Sequence, residues 1–284
     1  MIGVAAAFAV AAEARKSERK SGQRDILASA IRALRATRPT AVNLFAALDL
    51  MQNTLDEAKD HIAMRLEQTA YSIFNADRES CDKIAEFGVD IVPKNARIVT
   101  ICNTGYLATA GVGTALGVIS RAFDEGKIRE VFALETRPLL QGARLTAWEL
   151  LQSQIPVTLL ADGAAGSLLR RGGIDLAIIG ADRIVANGDT ANKIGSLQLA
   201  LACSRFNVPF FVAAPFTTFD PATRTAAEIV VEERSAEEVT HFKGKAVAAE
   251  GVSVYNPAFD LVEAGLITGF ITDRGIFKPP YQFN

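Results

Sequence analysis

The chain has 284 residues, 49% of them hydrophobic, and 30 Lys and Arg against 32 Asp and Glu give a formal net charge of -2. So much apolar material with so little net charge excludes a disordered chain. The near-balance of charge also argues against a nucleic-acid binder, which carries a basic surplus on one face. Residues 2–12, IGVAAAFAVAA, are apolar, and then EARKSERK follows. A membrane span needs roughly 18 or more such residues, and no basic segment precedes the run as in a secretory signal. A buried helix is expected there, and no membrane partner. Residues 1–87 contain proline only at Pro39 and read as helical throughout. Ile26, Leu27, Ile31 and Leu34 fall at helical spacing. Thr37-Arg38-Pro39 ends that helix, because the residue before proline avoids the α region. Two further helices fit between residues 40 and 85.

After Gly88 the texture changes. Short β-rich runs appear at 97–102, 130–134, 157–160, 176–179, 210–213 and 228–231, with helix-length segments at 107–125 and 143–154. Apolar strands alternating with helices indicate a parallel sheet covered on both faces. The expected fold is therefore α/β: a helical N-terminal region, 1–90, followed by a Rossmann-like, doubly wound, mostly parallel sheet domain, 91–284. Residues 266–278 read as a last strand or hairpin turning at Asp273-Arg274-Gly275. Three cysteines, Cys81, Cys102 and Cys203, are too few and scattered for a disulfide framework. The two histidines, His61 and His241, have no ligand-spaced neighbour, so no metal site is expected. Reduced thiols point to a cytoplasmic protein.

Ligands of an open α/β sheet sit outside the carboxyl ends of its strands. Four predicted strands end in polar or reactive groups: Cys102-Asn103-Thr104-Gly105, Glu135-Thr136-Arg137-Pro138, Ala161-Asp162-Gly163 and Gly180-Ala181-Asp182-Arg183. Singly, each reads as a helix cap or turn; Asp162 and Thr104 would cap well. Together they predict a shared crevice. The segment 141–146 follows the second strand and opens a helix whose free N–H groups would suit an anion. The segment 187–195 is either an Asn-Gly turn with an exposed lysine or a ligand loop. It gathers polar side chains downstream of Asp182, with Lys193 at a helix start. There a cation opposes the helix dipole unless it faces an anionic ligand. Asp182 ends the apolar run LAIIG, so a raised pKa is expected of it, suited to proton transfer. Cys102 is open to packing, acid, nucleophile or electrostatic-partner roles, while Cys81 and Cys203 are assigned to packing. Gly111-Val112-Gly113-Thr114 with Gly117 partly matches a dinucleotide fingerprint. Its glycines fall within a helix-like segment, so close packing is expected and no NAD or other cofactor.

The motifs RPTAVNL (38–44), CNTG with LATAGVGTALGVI (102–119), ETRPLLQGARLTAWEL (135–150), GADRIVANGDTANKIG (180–195) and PFFVAAP (209–215) together resemble the 5-methylthioribose-1-phosphate isomerase family. That family is grouped with the regulatory subunits of translation initiation factor 2B. The likeness runs on through NPAFD (256–260) and LITGFITDRGIFKP (266–279). GADR alone would be shared across the wider superfamily; the cysteine-NTG, the TRP-to-QGARLTA stretch and NGD-to-ANKIG are specific to the isomerase. The resemblance implies a catalytic pair, Cys102 and Asp182, and substrate contacts from Arg38, Gln141, Asn192 and Lys193. It implies a sugar-phosphate substrate and a homodimer, with no cofactor. The family carries an earlier RGAPAIG loop that contacts phosphate, and this chain begins at Met1-Ile2-Gly3, within the end of that loop. Weakened phosphate binding and a less well buried run 2–12 are the expectations. Two rival readings remain: a ribose-1,5-bisphosphate isomerase, which would need a surplus of cations for the second phosphate, and a non-catalytic regulatory protein of the initiation-factor 2B type, which has no use for both Cys102 and Asp182.

Overall fold

The computed structural model describes residues 1–37 and 42–283; Arg38, one of the expected substrate contacts, lies outside the described residues. Four helices open the chain: α1 (Ile2–Ser17), α2 (Gln23–Ala36), α3 (Val42–Glu57) and α4 (Ile62–Val89). The apolar run forms α1, and it is better buried than expected. Ala7, Val10 and Ala14 are fully buried against α2, α3 and α4, beside Leu27, Ile31, Leu48, Met51 and Leu66. Small alanines let four helices approach closely, and each larger side chain buried contributes roughly 1.5–3 kcal/mol. No helix among the described residues is long and apolar enough to cross a membrane.

With 28 residues, α4 is about 42 Å long. Its first half supplies Leu66 and Ala70 to the helical core. Its second half supplies Ile84 and Val89 to the core on one face of the sheet. One helix thus serves both cores.

The α/β part contains β1 (Ala96–Thr100), α5 (Ala115–Asp124), β2 (Ile128–Leu134), α6 (Ala147–Gln152), β3 (Val157–Leu160), α7 (Ala165–Arg170) and β4 (Leu176–Ile179). Then come β5 (Arg183–Val185), β6 (Thr190–Lys193), α8 (Ser196–Arg205), β7 (Phe210–Ala213) and β8 (Phe219–Asp220). Two short strands, β9 (His241–Phe242) and β10 (Lys245–Ala246), form a hairpin. The chain closes with β11 (Phe259–Val262), β12 (Gly269–Thr272) and β13 (Gly275–Phe277). Among the described residues the main sheet has seven strands in the order β13-β12-β7-β4-β1-β2-β3, parallel except for the β12–β13 hairpin. Alternate strand residues feed two cores: Val99, Phe132, Ala177 and Val212 on the side of α7 and α8, Ile98, Val131, Ile178 and Phe211 on the side of α4, α5 and α6.

Three expectations fail locally. Helix α5 starts only at Ala115, so 107–114 is a loop rather than helix. Gly113 sits at φ +100°, outside the helical range, where a Cβ would come within 2.4 Å of Thr104 O, and Asp77 of α4 takes the Ala110 N–H at 2.7 Å. Residues 228–231 are not a strand. Thr225 and Glu228 close a capping box on a short 3-10 turn, and Val230 remains 83% exposed. Lys193 does not begin a helix. It ends β6, and a second sheet, β11-β6-β5-β8, stands where a loop was expected.

Candidate active site

The connections of the main sheet define where a ligand fits. From β1 the chain winds outward to β2 and β3, then returns across β1 to add β4 on the other side and continues to β7. The order reverses between β1 and β4. Such a switch point leaves a crevice at the carboxyl ends, because the two flanking connections depart to opposite faces. Cys102 follows β1 by two residues and Asp182 follows β4 by three, and the two strands are hydrogen-bonded neighbours. The loops touch: a Cβ on Gly180 would lie 2.6 Å from Thr104 Cγ2, so any larger residue there would push the Cys102 loop away.

Backbone strain gathers at this edge. Cys102, Thr136 and Leu140 adopt left-handed conformations, with φ of 64°, 65° and 59°. Non-glycine residues held there cost about 1–3 kcal/mol each and persist only where neighbours over-determine them. The neighbours are identifiable. Cys102 N–H donates to Thr136 Oγ1 at 2.9 Å, and that hydroxyl donates to Leu134 O at 3.1 Å. Asp162 accepts the N–H groups of Thr136 and Arg137 at 2.8 and 2.6 Å. Asp162 therefore clamps the second loop. Thr146 Oγ1 donates to Cys102 O.

The Cys102 thiol is pushed up to about 11, first by burial, with Lys193 opposing the rise and Asp182 adding to it. Both side chains are therefore near enough for their charges to be felt at the sulfur. At neutral pH the thiol keeps its proton, so it is equipped to give a proton rather than to attack as a thiolate. The rate of Cys102 alkylation by iodoacetamide, followed by peptide mass, is accordingly expected to climb with pH without levelling off below about 11. A plateau near pH 8 would contradict this environment.

Lys193 Nζ donates to Ala258 O at 3.3 Å and lies 4.7 Å above the Phe259 ring. Asn192 is buried, its Nδ2 on Ser196 Oγ at 2.9 Å. The two are held on β6 between β5 and β11. Just beyond, Asp260 takes the N–H groups of Gly195 and Leu197 at 2.7 and 3.0 Å, occupying the start of α8. Asp189, by contrast, is structural: it pins the β5–β6 turn through Asn187, Ala226 and Ala264. Burial opposes its charge, yet those hydrogen bonds hold its carboxyl below the ordinary value.

Gln141 has its Oε1 buried without a hydrogen-bond partner among the described residues. A buried amide oxygen left unpaired costs about 1–3 kcal/mol, which a ligand hydroxyl would relieve. The helix it precedes opens as a single π turn, Gly142–Thr146. Its N–H groups are not free as expected: Ala143 and Arg144 donate to Glu135 O and Leu140 O.

Lys193 and Asp182 each act electrostatically on the Cys102 thiol, Asn192 sits beside Lys193 on β6, and Gln141 precedes the π turn that follows β2. Sequence reasoning had Thr136 only as a strand-end residue and missed Thr146, Glu149 and Asp260. The signal available for Thr136 was its place at a strand end; for Glu149 there was none, since a glutamate on a short helix reads as a solvated charge. Among the described residues no group of His, Cys, Asp and Glu is placed to hold a metal ion.

A mostly parallel, Rossmann-like sheet whose strand order reverses between β1 and β4 defines a doubly wound α/β protein. More narrowly, the chain belongs to the initiation factor 2 subunit family, whose model matches residues 1–279. It is 50% identical to the methylthioribose-1-phosphate isomerase of Pelotomaculum thermopropionicum over 290 residues, covering 100% of this chain and 79% of that protein. It is also 50% identical to the isomerase of the same name from Heliobacterium modesticaldum, covering 99% of this chain and 83% of that one. Among solved structures, 5-methylthioribose 1-phosphate isomerase from Pyrococcus horikoshii superimposes with a TM-score of 0.90 at 41% identity, covering 99% of this chain and 80% of that one. Subunit delta of translation initiation factor eIF-2B from A. fulgidus gives 0.86 at 39% identity, covering 100% and 84%.

Proposed function

We propose that this chain isomerises 5-methylthio-α-D-ribose 1-phosphate to 5-methylthio-D-ribulose 1-phosphate, an aldose-to-ketose step in methionine salvage. The observation that supports this reading best is the pairing of Cys102 with Asp182 at the switch point, within reach of Lys193. The C1 phosphate prevents simple ring opening. Asp182 gives a proton to the ring oxygen as the C1–O ring bond breaks, the C2 hydrogen moves to C1, and the C2 hydroxyl proton returns to the Asp182 carboxylate as the C2 ketone forms, with no net oxidation. Cys102, protonated at neutral pH, is the second proton carrier or stabilises developing charge. Lys193, Asn192 and Gln141 hold phosphate and hydroxyls, and Arg38 is a further substrate contact. The working unit in this reading is a cytoplasmic homodimer; a sedimentation mass of a single chain would contradict the dimer.

The bisphosphate alternative needs a second cationic patch. Lys193, whose charge lowers the Cys102 thiol pKa, is in this reading taken up by the C1 phosphate. An uncompensated buried phosphate is strongly disfavoured. The kcat/KM for methylthioribose 1-phosphate is therefore expected to exceed that for ribose 1,5-bisphosphate by at least about tenfold. An equal or reversed preference would favour the bisphosphate, and turnover of neither would favour the regulatory reading.

A further inference from the structure

We propose that Glu149 is the positioning residue that fixes the Cys102 loop in its reactive conformation, an inference that rests on Cys102 being one of the reacting groups. Glu149 lies on α6, directly after the π turn, and is only 3% exposed. Single π turns inside helices are frequent at functional sites because they re-aim the side chains that follow. Here the turn aims two side chains at one loop. Thr146 Oγ1 donates to Cys102 O and accepts from Asn103 Nδ2 at 3.3 Å. Glu149 accepts from Asn103 Nδ2 at 2.7 Å, from Tyr106 N–H at 2.8 Å and from Leu107 N–H at 3.3 Å. Its carboxylate fills the space beside Gly105, where a Cβ would come within 2.0 Å of Oε2. So the stretch from Asn103 to Leu107, directly after Cys102, wraps around this one buried carboxylate.

The carboxylate is costly where it stands. Burial drives its pKa up, and the hydrogen bonds from Asn103, Leu107 and Tyr106 offset only part of that. No Lys or Arg pairs with it among the described residues. Both its oxygens are engaged, which an amide could not match, since its NH2 group would face a donor. What the carboxylate secures is the path of the loop that leaves the left-handed Cys102, through Asn103, Tyr106 and Leu107. Misplacing a reacting group by about 1 Å can cost up to about a hundredfold in rate.

Glu149→Gln keeps the volume and loses one acceptor. Its kcat is expected to fall about tenfold to a hundredfold, with KM within about threefold of wild type, because substrate contacts are untouched. Cys102, in the loosened loop, is expected to alkylate at least about three times faster, while Cys81 and Cys203, both buried, keep their wild-type rates. Asn103→Ala removes the same link from the loop side and is expected to give the same split should Glu149→Gln fail to fold. Cys102→Ala is measured alongside. If it is inactive while Glu149→Gln and Asn103→Ala keep wild-type kcat and wild-type Cys102 alkylation, Glu149 is a structural pin, whatever its effect on Tm, and the proposal fails. If Cys102→Ala turns over normally, the reading of Cys102 itself is wrong and the catalytic role of Glu149 falls with it.

Discussion

Asp182→Asn is expected to leave the fold intact and to cut kcat by at least about a hundredfold, the scale of one general acid or base. The amide preserves shape and the backbone bond from residue 182 to Ala191 O, at 2.9 Å, but carries no transferable proton. A second readout follows from the electrostatics. Asp182 raises the Cys102 thiol pKa. Removing its charge lets that pKa fall, so alkylation of Cys102 at a fixed pH should quicken. Normal turnover by the purified, folded variant would take Asp182 out of the mechanism.

Lys193→Met is expected to act on binding. The methionine keeps the apolar stem against Phe259 and deletes the ammonium. A charge-assisted hydrogen bond to a phosphate is worth about 1.5–3 kcal/mol, so KM should rise roughly ten- to a hundredfold, with a smaller change in kcat. The thiol should respond in the opposite sense to the aspartate variant. Lys193 lowers the Cys102 pKa, and without it the thiol holds its proton more tightly and alkylates more slowly. An unchanged KM for the sugar phosphate would mean that the phosphate is bound elsewhere.

The parallel sheet was readable because its strands are continuous apolar runs with polar ends. The segments 157–160, 176–179 and 210–213 match the observed strands, and the hairpin at 266–278 turns at the Asp273-Arg274 step. The residues at the strand ends were readable for the same reason, since apolar pattern stops where chemistry starts. The second sheet was not. Strands of three or four residues such as β5 and β6 carry too little periodicity to distinguish them from loop, and their pairing with β11 joins residues far apart in the chain. That error misassigned Lys193: its position is set by cross-strand pairing of β6 with β11, rather than by a helix end. The loop at 107–114 was lost to a similar cause. Its helix-length span between two strands suggested helix, but Gly113 at positive φ and the clamp from Asp77 override that reading. Glu149 was invisible, and Thr136 was legible only as a strand-end residue, for a deeper reason. Their roles depend on which way a π turn and a left-handed residue aim a side chain, and local composition does not encode that.

The most direct test of the account is a crystal structure of Asp182→Asn with 5-methylthioribose 1-phosphate bound, since the variant should hold the aldose without converting it. The account predicts the sugar at the switch point between β1 and β4, with its ring oxygen or C1–C2 bond within about 4 Å of both Cys102 Sγ and the residue 182 side chain, its phosphate on Lys193 and a hydroxyl on Gln141 Oε1. A sugar seated away from the β1–β4 crevice, with Cys102 and residue 182 touching nothing on it, would contradict the account.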